Sequence, residues 1–239
     1  MTELLYQTDS YLQEFNASIL SVLLEQRAVV LDRTAFYPGG GGQPCDIGSL
    51  TAGELVYPVD KVKKQGDDVL HFLGGTTPLP AAGSASRGTL DWVRRYKLMR
   101  THTALHVLCG TVFRDYGAQV TGGDMEPLKG RMDFEFETMR GDLVREIETA
   151  VNKEVAAARD IRVKILPREE AFQIPDLIRT KINLLPEGIM LVRTVEIVGL
   201  DLQADGGTHV RNTNEVGTIR VVDYKSKGAI NKRIYIEIE

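Results

Sequence analysis

Residues 100–113 read RTHTALHVLCGTVF and constrain the fold more than any other stretch. Leu98, Leu105, Leu108, Val112 and Phe113 recur at helical spacing, which predicts a helix from Leu98 to about Tyr116, closed by Gly117. On such a helix His102 and His106 lie one turn apart on one face. Two imidazoles so placed can chelate one ion. Zinc takes about four donors, so a distant segment has to fold back onto this helix to supply the rest. The chain holds only four histidines, and His209 ends the turn Asp205-Gly-Gly-Thr-His209 about a hundred residues later. Asp205 and His209 are also four apart, in a turn that Gly206 and Gly207 make adaptable. This is not a metalloprotease helix, because Thr103 stands where His-Glu-x-x-His needs glutamate. Each pair has a bland reading: a histidine pair at helical spacing is often a surface or capping feature, and Asp before two glycines is a common turn. Taken together, the two clusters predict a divalent metal site. His71 has no partner nearby in sequence and reads as structural.

Composition limits the classes. With 239 residues, 43% of them hydrophobic and 26% charged, the chain suits one large or two small globular domains. No run approaches the ~18 apolar residues of a membrane span. The start, MTELLYQTDSYLQEF, has no basic segment leading into an apolar block, so no signal peptide is read. Two cysteines, Cys45 and Cys109, are too few for a disulfide framework and suggest a reducing, cytoplasmic setting. The net charge of −4 means that any nucleic-acid contact must use local basic patches. The candidates are Arg94, Arg95, Lys97 and Arg100 ahead of the histidines, and Lys225, Lys227, Lys232 and Arg233 near the end. Such charge runs are also common on solvated faces.

The fold class reads as α+β. Residues 1–90 are β-rich: a hairpin of 18–24 and 27–31 around Glu25-Gln26, short strands at 55–59, 61–64 and 69–73, a loop over 74–88, and a last strand at 89–93. Residues 39–42 are four successive glycines, which a helix or strand interior tolerates poorly. They read either as a flexible surface turn or as a shaped loop that can approach another surface closely. Phe36, Tyr37, Pro38, Gln43 and Pro44 give it stiff flanks, and the Gly-Lys-Ser/Thr ending of a phosphate-binding loop is missing. Residues 91–239 alternate: the histidine helix, a turn at Gly122-Gly123, a strand at 130–136, a helix at 139–160, a strand at 161–166, a short helix at 168–172, a strand at 189–198, and a final antiparallel pair of 216–224 and 232–239. This predicts an antiparallel sheet with helices packed on one face.

Three motifs carry a resemblance. Arg100-Thr-His-Thr-Ala-Leu-His106, Gly206-Gly-Thr-His-Val-Arg-Asn-Thr213 with Glu215 and Gly217, and Phe36-Tyr-Pro-Gly-Gly-Gly-Gly-Gln43 with Asp46 and Gly48 occur in this order. With them the chain resembles the alanyl-tRNA synthetase editing domain and its free-standing relatives, the AlaX trans-editing proteins, in their medium-sized class. Leu166-Pro-Arg-Glu-Glu-Ala171 is similar to a further family segment. The resemblance implies a small N-terminal β-barrel (1–90) carrying the Gly-rich motif, then a metal-dependent α+β editing domain (91–239). It implies hydrolysis of mischarged Ser-tRNA(Ala), extending to Gly-tRNA(Ala), with tRNA(Ala) as partner and one zinc ion per chain; separately from the resemblance, a monomer is expected. His102, His106, His209 and Asp205 would hold the ion. Thr121 falls where the family places a threonine that recognises the serine hydroxyl, and its bland reading is a helix-to-turn residue. Gly40, Gly41, Gly42 and Gln43 would line the substrate pocket. No Ser-His-Asp set or activated cysteine is evident, so a metal-bound water, with no protein nucleophile, would attack the ester. Where the family's second motif usually begins with cysteine, this chain has Asp205, which can ligate directly, hold a water, or leave a three-histidine site. Cys109, three residues past His106, is not an obvious replacement. The alternatives are editing of another mischarged tRNA, such as that for threonine, and a non-catalytic tRNA-binding module with a structural metal.

Overall fold

Phe15, Ala17 and Ile19 alternate with exposed residues along the first long strand, and this period of two closes the N-terminal part into a barrel. The computed structural model describes residues 1–178 and 188–239 and divides into two units, Met1–Tyr96 and Lys97–Glu239. The sequence places the boundary after residue 90; the first unit runs six residues further. Among the described residues no helix is long and apolar enough to cross a membrane.

In the first unit, β1 (Glu14–Leu23), β2 (Ala28–Leu31), β3 (Gly48–Ala52), β4 (Leu55–Gln65), β5 (Asp68–Leu73) and β6 (Ala85–Leu90) form a closed barrel in the order β1-β2-β5-β4-β3-β6. Phe15, Ile19, Leu31, Phe36, Leu50, Tyr57, Val59 and Leu73 fill it. The hairpin read around Glu25-Gln26 is β1–β2. The strands expected at 55–59 and 61–64 are one strand, β4, with a register shift between Val59 and Lys61. β3 has no counterpart in the sequence reading. It is short, and it begins at Gly48, where a Cβ would lie 2.2 Å from the Thr89 carbonyl oxygen.

The glycine loop is braced across its neck. Tyr37 N–H donates to Asp46 Oδ2 at 2.6 Å and Asp46 N–H to the Tyr37 carbonyl at 2.9 Å. Gly40 and Gln43 exchange backbone hydrogen bonds of 3.0 and 2.9 Å, and the Tyr37 hydroxyl donates to the Gly40 carbonyl at 3.0 Å. All four glycines take positive φ, from 57° to 135°. That geometry requires glycine at this run and is a shaped loop.

Asp46 also anchors Arg95, which corrects one expectation. Arg95 is fully buried; its Nε lies 3.0 Å from both Asp46 carboxylate oxygens, Nη1 donates to Ser10 O at 2.9 Å, and Nη2 donates to Ala35 O at 2.6 Å. Every side of the guanidinium is committed inside the first unit, so it is not offered to a phosphate. His71 is buried too: its Nε2 meets the Thr34 hydroxyl at 2.8 Å and its Nδ1 the Val29 carbonyl at 3.3 Å. A carbonyl only accepts, so Nδ1 carries the proton and Nε2 accepts from Thr34.

Helix α1 (Trp92–Tyr116) starts six residues before the expected Leu98. β6 ends at Leu90 instead of running to 93, and Asp91 Oδ1 then accepts from Arg94 N–H at 3.0 Å, an N-terminal cap. In the second unit, β7 (Val120–Glu126) and β8 (Lys129–Glu135) form a hairpin, followed by α2 (Gly141–Ala156), β9 (Ile161–Pro167), α3 (Arg168–Ala171), β10 (Leu191–Ile197), β11 (Asp201–Ala204), β12 (Ile219–Ser226) and β13 (Asn231–Ile238). The expected turn at Gly122-Gly123 is corrected. Both glycines lie inside β7, opposite Asp133 and Met132, and the chain turns at Pro127-Leu128, where Leu128 adopts φ 64°. In place of one antiparallel sheet, the described residues of this unit form two, β12-β13-β8-β7 and β9-β10-β11. Helix α2 lies along β12, tied by paired hydrogen bonds of 2.8 and 2.9 Å between the Asn152 amide and the Ile219 backbone.

Two outcomes follow for the first unit. Asp46→Ala leaves a buried, unpaired guanidinium and should cost about 3–5 kcal/mol, read by urea denaturation. A variant as stable as wild type would contradict the pairing. Burial pushes the His71 imidazole from 6.5 down to about 4. The folded chain therefore refuses a proton that the unfolded chain accepts. Stability is intact above pH 6.5 and falls as pH drops towards 4, by about 2 kcal/mol at pH 5. Tm should fall more steeply between pH 7 and 5 in wild type than in His71→Gln; equal slopes would count against this assignment.

Candidate metal centre

The middle of α1 is buried all round: every residue from 101 to 110 is buried. An apolar stripe does not explain such a helix, and its polar side chains must find partners inside. His102 and His106 find them in the turn that follows β11. One ligand atom from each of His102, His106, Asp205 and His209 lies within 4.8 Å of the others, and this group could hold a metal ion. The imidazole centroids are 4.3 Å apart for His102–His209, 4.6 Å for His106–His209 and 5.0 Å for His102–His106.

The donor set suits a small divalent ion. Bonds of about 2.0–2.2 Å in a tetrahedron put neighbouring donors roughly 3.3–3.6 Å apart. His102 Nε2 lies 3.5 Å from Asp205 Oδ1, and His209 Nε2 lies 3.0 Å from Asp205 Oδ2. Burial lowers His102 well below the usual imidazole range and His209 to about 4, so both are neutral, the form that ligates. His106 goes the other way. Burial lowers it, but the carboxylates of Asp201 and Asp205 outweigh burial and raise it.

Neighbouring side chains hold the cluster in place. The Thr103 hydroxyl lies 3.1 Å from His209 Nδ1 and accepts from Val210 N–H at 3.3 Å, so the residue that replaces a metalloprotease glutamate orients a histidine. Asp205 is fixed by Gly207 N–H, which donates to Oδ2 at 2.8 Å. The buried Arg193 donates from Nη1 to the Asp205 carbonyl at 2.9 Å, and that nitrogen is 3.6 Å from Oδ2. Asp201 Oδ2 lies 3.5 Å from His106 Nδ1. Sequence reasoning missed Thr103, Arg193 and Asp201 as supports. Thr103 lies between His102 and His106 and was findable; Arg193 and Asp201 carry no spacing signal.

The other candidates separate. Thr121 lies on β7, not at a helix-to-turn junction; it is exposed and its hydroxyl donates to Asn231 Oδ1 at 3.0 Å. Gly40, Gly41, Gly42 and Gln43 belong to the first unit. Cys109 stays outside the cluster, its sulfur accepting from Gln203 Nε2 at 3.3 Å. Lys97, Lys225 and Lys227 are exposed and Arg94 is half-buried. Arg100 is committed to Val216 O and Glu239 O at 2.9 and 2.7 Å, and Arg233 to the Asp133 carboxylate at 2.6 and 2.7 Å. Lys232 is corrected along with Arg95: it is buried and its ammonium donates to the Gly228 and Ala229 carbonyls at 2.8 and 2.7 Å.

Residues 192–235, which include Asp205 and His209, match the threonyl and alanyl tRNA synthetase second additional domain; residues 8–94, which include the glycine loop, match the class II (A) tRNA synthetases. The chain is 38% identical over 241 residues to the alanyl-tRNA editing protein AlaX-M of Saccharolobus solfataricus, covering all of both chains. It is 38% identical over 247 residues to that of Methanosarcina acetivorans, covering 100% of this chain and 99% of the other. It is also 37% identical over 227 residues to the alanine–tRNA ligase of Ignicoccus hospitalis, covering 92% of this chain but 24% of the ligase. End-to-end identity at this level, on a chain that gathers the two histidine motifs into one cluster, makes this protein a member of the AlaX-M family of alanyl-tRNA editing proteins.

Proposed function

We propose that this chain is a cytoplasmic, monomeric trans-editing enzyme that hydrolyses the aminoacyl ester of Ser-tRNA(Ala) and Gly-tRNA(Ala), with one zinc ion held by His102, His106, His209 and Asp205. The observation that carries the reading is the group of three buried imidazoles and one half-buried carboxylate. Zinc supplies Lewis acidity for attack of water on an ester carbonyl. The chain's own residues do the rest. His102 and His106 hold their positions because α1 is rigid and buried there. Thr103 and Arg193 keep His209 and Asp205 aimed at the same point.

Selectivity follows from a hydroxyl contact. Thr121 gives its proton to Asn231, so its oxygen is left to accept from a serine hydroxyl. A site built to pair with that hydroxyl discriminates against alanine, which lacks it. Gly40, Gly41, Gly42 and Gln43 are assigned to amino-acid binding because their shaped loop offers backbone amides and a surface that a ligand can approach closely. Lys97, Lys225, Lys227 and Arg94 supply positive charge for tRNA phosphates. The end-to-end likeness to proteins named for alanyl-tRNA editing supports the substrate class.

The test is deacylation of purified Ser-, Gly- and Ala-tRNA(Ala). Wild type should discharge the first two and spare the third. Chelation or His102→Ala should lower kcat/KM by more than the roughly 10–100-fold that loss of an outer-shell contact costs. Wild-type protein that hydrolyses no mischarged species, with zinc supplied, would overturn the proposal.

A further inference from the structure

We propose that Asp201 is a positioning residue for His106: its carboxylate holds the proton on Nδ1, which leaves Nε2 as the nitrogen available to an ion. The inference rests on the metal reading above and adds a residue outside the donor set.

The argument starts from one orphaned atom. His106 Nδ1 is buried and has no hydrogen-bond partner in the ordinary range. The group facing it is the Asp201 carboxylate, at 3.5 Å, with its side chain fully buried. A neutral imidazole carries one donor and one acceptor nitrogen, whereas a carboxylate only accepts. A lone pair on Nδ1 would face the lone pairs of Asp201 across 3.5 Å. A proton there faces an acceptor, and Nε2 then keeps its lone pair.

Asp201 is seated with care. It opens β11 and pairs with Ile197 of β10, just after a turn in which Gly199 takes φ 74° and Leu200 N–H donates to the Ile197 carbonyl at 2.9 Å. Gln203 Nε2 donates to Asp201 Oδ2 at 2.5 Å. Opposite lies Gly110, one helical turn past His106. A Cβ on residue 110 would come within 2.7 Å of the Asp201 Cβ and 3.1 Å of Leu200 Cγ. Glycine at 110 therefore lets α1 approach β11 closely enough for the carboxylate to reach the ring. The distance is set by backbone packing, so neither side chain alone can restore it.

Two measurements test this on the full chain. Nitrogen-15 NMR of the metal-free protein at pH 8 reads the His106 tautomer, and competition with a chelating dye reads the zinc Kd. Wild type should show His106 protonated at Nδ1. Asp201→Ala should populate the other tautomer and weaken zinc binding about 10–100-fold. Asp201→Asn keeps an uncharged acceptor oxygen and should fall between the two. Gly110→Ala, which leaves the carboxylate but displaces it, should move both readouts in the direction of Asp201→Ala. Near-UV circular dichroism checks folding; if Asp201→Ala does not fold, the isosteric Asn and the Gly110 variant decide. An unchanged tautomer with wild-type zinc affinity in folded variants would overturn the role of Asp201. Wild-type protein that binds no zinc would overturn the metal reading instead, and the tautomer alone would then judge Asp201.

Discussion

The fully buried stretch of α1 between residues 101 and 110 is the constraint on which the second unit is organised. A helix buried on every face cannot carry polar side chains without internal partners, and this one carries Thr101, His102, Thr103 and His106. They are answered from three places: the β7–β8 turn, the 205–210 segment and the start of β11. The Thr101 hydroxyl donates to the Lys97 and Glu126 carbonyls and accepts from Leu128 N–H, which ties the β7–β8 turn to the helix. Thr103 binds the segment at 209–210. The two histidines meet Asp205 and His209, while Asp201 closes on His106 from the end of a short strand. The cost of leaving these groups unmet selects the packing, and the same packing gathers donors for an ion.

The electrostatics of the cluster are nearly balanced. Asp201 and Asp205 bring two carboxylates, and Arg193 returns one positive charge beside Asp205. With all three imidazoles in the neutral form that ligates, a small negative excess is left, which suits a divalent cation. Asp205 is tied through its backbone to Arg193 in both directions, N–H to carbonyl at 3.1 Å and guanidinium to carbonyl at 2.9 Å. Its carboxylate therefore starts from a fixed backbone, although the turn around it contains two glycines.

Much of this was legible in the sequence, and the failures have physical reasons. Spacings of four placed His102 with His106 and Asp205 with His209, because that period is the one a helix or a compact turn enforces. Asp201 was not legible: its nearness to His106 comes from the missing side chain at Gly110, a contact between elements with no sequence signature. Arg95 looks like its neighbour Arg94 in a charge run, yet successive helical residues point about 100° apart, and Arg95 faces the buried Asp46. Gly122-Gly123 suggests a turn by composition, but Pro127 presets its own φ and Leu128 accepts φ 64°, so the hairpin turns there. β3 and β11, of five and four residues, are too short to show a period.

The central claim is that one ion is held by three imidazoles and one carboxylate. X-ray absorption at the zinc edge, on protein purified with its metal, tests it most directly. A first shell of nitrogen and oxygen only, at about 2.0–2.2 Å, with the outer-shell scattering of three imidazoles, is the expected result. A sulfur neighbour at about 2.3 Å, or scattering from fewer than three imidazoles, would contradict it.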